Sequence, residues 1–265
     1  MSFANRVLSE LEQGQGTLSS IAPSFERRLA GETNAQALEK NISELCMSFY
    51  GKIRPQLVSA NGNEKLAASN ELSFEVKNLI HNILKADDPD CSVTEFEPDL
   101  AQKLKSAMQL IESSSPDVFK LVENIVSCLV RVNSVGFRSA SHPHLFGIIL
   151  IGDKANDFTS EQLAVSLVHE LAHQELFLIN LLDRLVNQPF DYNEVHAPFQ
   201  GMKRPPIGRL HSLWALYRMV EFQMNNNITN QKHKDLLQKN AQAFEDQELT
   251  PFAKKLVEIA MRRVS

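Results

Sequence analysis

The feature that most constrains this chain is one long predicted helix that is apolar on almost every side. It begins at a capping box formed by Thr159 and Gln162, and its pattern continues to about Val186. Its apolar residues are Leu163, Ala164, Leu167, Val168, Leu171, Ala172, Phe177 and Leu178. A helix that is apolar all round its axis is buried in the centre of a protein rather than laid on the surface. We therefore expect the other elements to pack around this helix.

The helix carries the sequence His169-Glu170-Leu171-Ala172-His173. Residues at positions i and i+4 lie on one helical face, so both imidazoles can reach a single metal ion. Glu170 points about 100° away from His169, which allows it to contact a metal-bound water or to orient a ligand. Core histidines hydrogen-bonded to the backbone are the alternative. For two histidines with a glutamate between them, we favour metal binding.

A metal site needs at least a third protein ligand, and four nearby residues are candidates. Glu175 points to the opposite side of the helix, and His196 lies in an irregular predicted loop. His211 lies early on the next long helix and is the favoured third ligand, unless it only caps that helix. Glu221 follows about 80° round the same helix and is the second choice.

Two arginines, Arg204 and Arg209, come just before His211. The forked guanidinium group matches a carboxylate well, so this pair predicts recognition of an acidic co-substrate. Solvated surface arginines are the alternative interpretation. Trp214 and Tyr217 lie on the same predicted helix, where we expect them to form core or pocket wall rather than to take part in chemistry.

Composition and charge exclude several classes of protein. The chain has 265 residues, with 27 Lys and Arg against 32 Asp and Glu, which gives a formal charge of −5. Hydrophobic residues at 43% and charged residues at 22% are ordinary for a globular protein, and exclude disordered, collagen-like and coiled-coil chains. The lack of a basic excess argues against a nucleic-acid-binding protein.

Cysteine usage and the N-terminal sequence bear on the cellular compartment. Cys46, Cys91 and Cys128 form no Cys-x-x-Cys pair, which excludes a thiolate zinc site and a disulfide framework. Glu10 and Glu12 lie where a signal peptide would need an apolar run. No stretch reaches the roughly 18 apolar residues of a membrane span. We expect a cytoplasmic protein that binds metal through histidine.

The chain as a whole predicts a mainly α fold. Residues 1–136 form a helical scaffold region, and residues 137–265 form the metal-binding catalytic region, the two being either separate or one continuous domain. A short apolar run, Phe146–Gly152, is the best strand candidate, and it could pair as an edge strand with an extended peptide. The other predicted helices cover Ala35–Tyr50, Ala67–Leu84, Pro98–Ile111, Pro116–Val132, Pro206–Met224, 229–245 and 250–264.

Three segments together resemble the HExxH-motif proteins associated with ribosomally made, post-translationally modified peptides. They read LAVSLVHELAHQEL, KRPPIGRLHSLWAL and ELTPFAKKL, and the resemblance covers about residues 139–263. The second element in that family commonly reads Asp-Pro-Arg-Pro-Leu-x-Gly-x-Leu-His-Gly. The matching positions here are Arg204, Pro205, Gly208, Leu210 and His211, whereas Met202-Lys203, Pro206 and Ser212 depart from the pattern.

The resemblance implies an iron(II)- and 2-oxoglutarate-dependent peptide β-hydroxylase with a zincin-like core, acting on a ribosomally synthesised precursor peptide with dioxygen. By carry-over, His169, His173 and His211 hold the metal, and Glu170 orients a ligand. Since such iron sites usually have two histidines and one carboxylate, Glu170 or Glu221 is also a candidate ligand. Binding of 2-oxoglutarate by Arg204 is our inference from guanidinium chemistry. A zinc peptidase with Glu170 as general base, and a metal-stabilised binding protein without catalysis, are the alternatives.

Overall fold

The computed structural model describes residues 66–67, 72–182, 184–187, 195–199, 201–228, 230–245 and 247–262. Most of these residues are helical, which confirms the predicted mainly α class. The predicted helix at Ala35–Tyr50 lies outside the described residues. Within the described ranges, no helix is both long enough and apolar enough to cross a membrane.

The elements follow one another in a fixed order. The helices are α1 (Phe74–Leu84), α2 (Pro98–Ser114), α3 (Pro116–Ile125), α4 (Ser160–Leu182), α5 (Pro206–Asn225), α6 (Gln231–Ala241) and α7 (Pro251–Arg262). The strands are β1 (Leu66–Ala67), β2 (Cys128–Arg131), β3 (Ser139–Ala140), β4 (Ile148–Ile151), β5 (Val195–Ala197) and β6 (Met202–Arg204). Short 3₁₀ turns at Pro143–Leu145 and Asp153–Asp157 flank β4. The fold divides into two compact units, one ending at Gln174 and the other containing the described residues from Glu175 onward.

A four-stranded sheet in the order β1-β2-β4-β3 organises the first unit. β1, β2 and β4 are parallel, and β3 runs antiparallel to β4, with Ser139 opposite Ile151. Every residue of β2 and β4 is buried, as expected for parallel strands that are covered on both faces. Strand β2 belongs to the predicted scaffold region, residues 1–136, whereas β3 and β4 belong to the predicted catalytic region, residues 137–265. Both predicted regions therefore contribute strands to one sheet.

One face of this sheet packs against α1 in an apolar core. Ile80 of α1 lies in this core, which also contains Leu72, Cys128, Val130, Val132, Leu145, Ile148 and Leu150. Strands β2 and β4 each contribute every second residue to this core, because successive side chains of a strand point to opposite faces of the sheet. α1 begins later than predicted, after Ser73, whose hydroxyl caps the helix by accepting a hydrogen bond from the N–H of Val76 at 3.3 Å.

Two sequence predictions in this region are wrong: one helix is predicted too long, and one strand is predicted to lie at the edge of the sheet. The helix predicted over Pro116–Val132 ends at Ile125, and Cys128–Arg131 forms strand β2. A short apolar run suits a buried strand as well as a helix, and pairing with β4 decides the outcome. The strand predicted at Phe146–Gly152 is confirmed as β4, but it lies between β2 and β3. It is therefore not the edge strand open to a peptide, and the edge on this side is β3.

Arg131 ties together the ends of the two central strands. Its buried guanidinium makes two hydrogen bonds of 3.0 Å to Glu97 and an ion pair of 2.7 Å with Asp153. It also donates to the carbonyl oxygens of Val132 and Ile151. These bonds satisfy a charge that would be costly to bury alone. The hydrogen bonds from Arg131 also lower the pKa of Glu97.

In the second unit, α5 packs against α6 and α7, and nearly every residue from Pro206 to Gln223 is buried. The segment predicted as an irregular loop, 187–205, contains the short hairpin of β5 and β6, in which His196 lies opposite Lys203. β6 leads through Pro205 directly into α5. Proline suits the first turn of a helix because the missing N–H would have no partner there.

Candidate metal centre

The helix that carries the candidate site is α4, and its start is as predicted. The hydroxyl of Thr159 accepts a hydrogen bond from the N–H of Gln162, and the Gln162 side chain accepts one from the N–H of Thr159. This reciprocal pair satisfies two of the backbone donors that every helix start leaves without partners. The capping box thus fixes where α4 begins and which residues share each of its faces.

The structure brings the two predicted histidines together. The Nε2 atoms of His169 and His173 lie 3.1 Å apart, and the rings are nearly perpendicular, with centroids 4.7 Å apart. Two nitrogens at this spacing, each about 2.0–2.1 Å from one ion, would subtend about 100° at the metal, between the octahedral and tetrahedral angles. A hydrogen bond between two neutral rings has the same length. The histidine pair therefore fits a metal, and metal analysis separates the two interpretations.

His169 is held in the form that binds metals. Burial lowers the pKa of His169 to about 4, and the positive charge of Arg138 acts in the same direction. The ring is therefore neutral at pH 7, which is the form in which imidazole binds metals.

Glu170 is a buried carboxyl group whose two oxygens have different surroundings. Oε1 accepts a hydrogen bond of 2.9 Å from the hydroxyl of Ser139, whereas Oε2 has no hydrogen-bond partner among the described residues. Burial raises the pKa of Glu170 to about 7, although the hydroxyls of Ser141 and Ser139 and the charge of Arg138 act to lower it. A buried oxygen without a partner is uncommon in folded proteins and needs an explanation, such as an absent water or ion. Imidazole and carboxylate groups are donors that suit a divalent metal, but within the described ranges the side chains of His169, His173 and Glu170 do not come together as a group that could hold one.

Gln174, next to His173, joins α4 to the sheet. Its side-chain Oε1 accepts a hydrogen bond of 2.9 Å from the N–H of Gly147, and its Nε2 donates one of 3.2 Å to the carbonyl of Ile148. Gln174 is fully buried, so these bonds are formed away from water. They fix the helix against the start of β4, one residue from a predicted ligand.

The predicted third ligand, His211, lies in the second turn of α5 and is half-buried. Its ring packs against Phe177, with the ring centroids 4.9 Å apart. Since α5 belongs to the second unit, the inclusion of His211 with His169 and His173 stays a prediction. Within the described ranges, three or more His, Cys, Asp or Glu side chains do not come together in a way that could hold a metal ion.

The other ligand candidates have different roles in the structure. Both oxygens of Glu175 accept hydrogen bonds from Arg218, and one also accepts from Trp214. Glu221 forms an ion pair of 2.7 Å with the same arginine. Burial alone would lower the pKa of Arg218, but the two carboxylates raise it well above its ordinary value. These groups form a buried ion cluster, and His196 is exposed on β5.

The two arginines predicted to bind an acidic co-substrate, Arg204 and Arg209, differ in their exposure to solvent and in their contacts. Arg209 is fully buried, forms an ion pair of 2.6 Å with Glu248 and donates to the carbonyl of Ala243. Its guanidinium also lies 5.1 Å from the ring centroid of Phe244. Because these contacts occupy both terminal nitrogens inside the protein, we leave Arg209 out of the proposed co-substrate site.

Arg204, in contrast, is exposed on β6. A Cβ atom added to Gly208 would lie 3.5 Å from Cβ and 3.6 Å from Cδ of Arg204. The aliphatic part of the arginine therefore lies beside this glycine, in the first turn of α5. This packing gives a physical reason for the spacing between Arg204 and Gly208.

Sequence reasoning missed two residues of the site, Ser139 and Gln174. The sequence does contain a signal for Gln174, because a side-chain amide next to a histidine on an apolar helix needs buried hydrogen-bond partners. The sequence contains no signal for Ser139, since it lies 31 residues from the carboxylate that it contacts.

His142, three residues after Ser139, caps a 3₁₀ turn by accepting a hydrogen bond of 3.2 Å from the N–H of His144.

Comparison with known proteins adds nothing to this geometry: the chain matches no protein-family model and no curated protein.

Proposed function

We propose that the chain is a metal-dependent enzyme whose metal is bound by His169 and His173 beside Glu170. The observation that supports this most strongly is the 3.1 Å spacing of the two Nε2 atoms, together with the buried carboxyl group of Glu170, one oxygen of which has no hydrogen-bond partner among the described residues. His211 is the predicted third ligand. The attachment of α4 to a sheet through Ser139 and Gln174 supports a zincin-like core.

The proposed reaction is hydroxylation of a peptide side chain at its β-carbon, with Fe(II) and 2-oxoglutarate. The sequence resemblance supports it, and so does the exposed Arg204 in the matching Arg-Pro-x-x-Gly-x-Leu-His element. The proposed substrate is a ribosomally synthesised precursor peptide, and the proposed compartment is the cytoplasm.

In the proposed reaction each of these residues would have a separate role. Fe(II) would supply the oxidising chemistry, in which 2-oxoglutarate becomes succinate and carbon dioxide while one oxygen atom of dioxygen enters succinate and the other the C–H bond. His169 and His173 would bind through neutral imidazole nitrogens. Glu170 would orient a ligand through Oε2, and Arg204 would pair with a carboxylate of 2-oxoglutarate through its forked donors.

A zinc peptidase is the second candidate, and one observation favours it. Oε2 of Glu170 has no hydrogen-bond partner among the described residues, and a general base needs such an oxygen to accept a proton from water. In this function His169 and His173 bind zinc and Glu170 activates the water. His211 or Glu221 would be the third ligand, although Glu221 already pairs with Arg218.

Anaerobic purification separates the candidates. Protein reconstituted with Fe(II) should convert 2-oxoglutarate and dioxygen slowly to succinate and carbon dioxide without peptide when an added reductant such as ascorbate reduces the second oxygen atom to water. With its peptide substrate, it should add that oxygen atom to the peptide. Wild type and the His169→Ala variant are compared, because loss of one histidine should abolish metal binding. Stoichiometric zinc together with peptide cleavage in the absence of 2-oxoglutarate would contradict the hydroxylase and support the peptidase. Bound metal without either activity would indicate a binding protein.

A further inference from the structure

The sheet supplies a short hydrogen bond to one carboxylate oxygen of Glu170. Ser139 lies on β3, opposite Ile151 of β4, and its hydroxyl donates to Oε1 at 2.9 Å. The next residue of the strand, Ala140, lies opposite Leu150. The hydroxyl is therefore carried by a paired strand, and its position is fixed more firmly than it would be on a loop.

The same segment also contacts the backbone of the helix. The hydroxyl of Ser141, which follows β3 directly, lies 3.4 Å from the carbonyl oxygen of Glu170. Two hydroxyls from one short segment thus meet the side chain and the main chain of a single residue. The remaining oxygen, Oε2, has no hydrogen-bond partner among the described residues, and Glu170 is only 3% exposed.

We propose that Ser139 is a positioning residue that holds Oε1 of Glu170 and so reserves Oε2 for a group bound at the histidine pair. The inference rests on the proposed metal site. A carboxylate that is free to rotate would exchange its two oxygens, whereas a hydrogen bond to one oxygen distinguishes them. Such partners around metal sites orient the groups that contact the metal or its water, and their loss weakens metal binding.

The test uses Co(II) as a spectroscopic probe of the full-length protein, with no need for a substrate. Four variants are titrated with Co(II): Ser139→Ala, Ser139→Thr, Glu170→Gln and Ser166→Ala. Ser166 is the matched control, because it is a buried serine four residues before Glu170 on α4 whose hydroxyl makes no hydrogen bond to the Glu170 carboxylate. Circular dichroism of each metal-free protein checks that the fold is retained.

We expect Ser139→Ala to bind Co(II) about 10- to 100-fold more weakly than wild type. Its visible d–d spectrum should shift toward that of Glu170→Gln, and Ser139→Thr, which keeps the hydroxyl, should restore the wild-type spectrum. Ser166→Ala should match wild type. A general structural role would lower thermal stability without giving Ser139→Ala the spectrum of Glu170→Gln.

Three other outcomes overturn the proposal in different ways. If wild type binds Co(II) and Ser139→Ala has the same affinity and spectrum, the positioning role is wrong and the metal site stands. If wild type binds no Co(II), both the metal site and the positioning role are wrong. Equal losses in Ser139→Ala and Ser166→Ala also contradict positioning, because they would reflect the helix as a whole.

Discussion

Gln174 and Gly147 form a hydrogen bond of 2.9 Å between a side-chain amide oxygen and a backbone N–H, and this bond joins α4 to the start of β4. Gly147 has a φ of 80°, a conformation that suits glycine, and its carbonyl accepts hydrogen bonds from the N–H groups of Ser127 and Cys128. The turn into β4 is therefore held by α4 on one side and by β2 on the other. The position of His173 depends on this junction, since it precedes Gln174 directly.

Replacing Gln174 by leucine should destabilise the protein. The change leaves the N–H of Gly147 and the carbonyl of Ile148 buried without partners, which should lower the free energy of unfolding by about 1–3 kcal/mol. Urea denaturation measures this loss. Gln102→Leu, at an exposed position of α2, is the control and should change stability little. Equal stability of Gln174→Leu and wild type would contradict the role of the amide.

Breaking the buried ion pair of Arg209 and Glu248 should have a larger effect. Arg209→Met leaves the Glu248 carboxylate buried and uncompensated, and the expected loss is about 3–5 kcal/mol. The double variant Arg209→Met with Glu248→Leu should recover part of that loss, because no lone charge then stays buried. A double variant less stable than the single one would show that the pair does not act as a charge pair.

Arg204→Ala should impair binding of 2-oxoglutarate without affecting the fold. Arg204 is exposed, and loss of its charged hydrogen bonds should weaken affinity about 10- to 100-fold, as measured by isothermal titration calorimetry of the metal-loaded protein. Lys203→Ala, an exposed cation next to it on β6, is the matched control and should bind as wild type does. Unchanged affinity in Arg204→Ala would remove this arginine from the proposed site.

Acid should weaken the protein partly through Glu97. The hydrogen bonds from Arg131 lower the pKa of Glu97 in the folded state, so this contact contributes stability above the unfolded pKa of about 4.3. The contribution is lost as pH falls through the lowered folded pKa. Thermal unfolding between pH 3 and pH 7 should therefore decline less steeply in Glu97→Gln than in wild type. Identical slopes would contradict this linkage.

His211→Ala tests the third ligand. If His211 binds the metal, the variant should lose stoichiometric metal on dialysis, as measured by elemental analysis. His196→Ala, at an exposed position on β5, is the control and should keep its metal. Retention of one metal per chain in His211→Ala would exclude this histidine, and Glu221→Gln would then be the next variant to measure.

The parts of the fold that follow local rules could be predicted from the sequence. The capping box of Thr159 and Gln162, and the proline at the start of α2, each act within one helical turn. The meeting of His169 and His173 has the same basis, because helical geometry alone brings residues four apart together.

The parts that local rules could not predict depend on distant partners. Residues 128–131 became a strand because β4, which begins at residue 148, pairs with them. The buried role of Arg209 depends on Glu248, and the contact with Glu170 depends on Ser139. Such pairings leave no periodic signal near either residue, so spacing arguments could not find them.

The strand lengths in the sheet bear on how the protein avoids aggregation. Strands β2 and β4, with the sequences CLVR and IILI, are the segments most able to pair with other chains, and both lie inside the sheet. Of the outer strands of the described sheet, β3 has two residues. An outer strand this short offers few free backbone groups to another molecule, and the exposed Arg138 before β3 adds a charge there. The hydrogen bond that β3 supplies to Glu170 thus comes from an outer strand that offers few backbone groups to another chain.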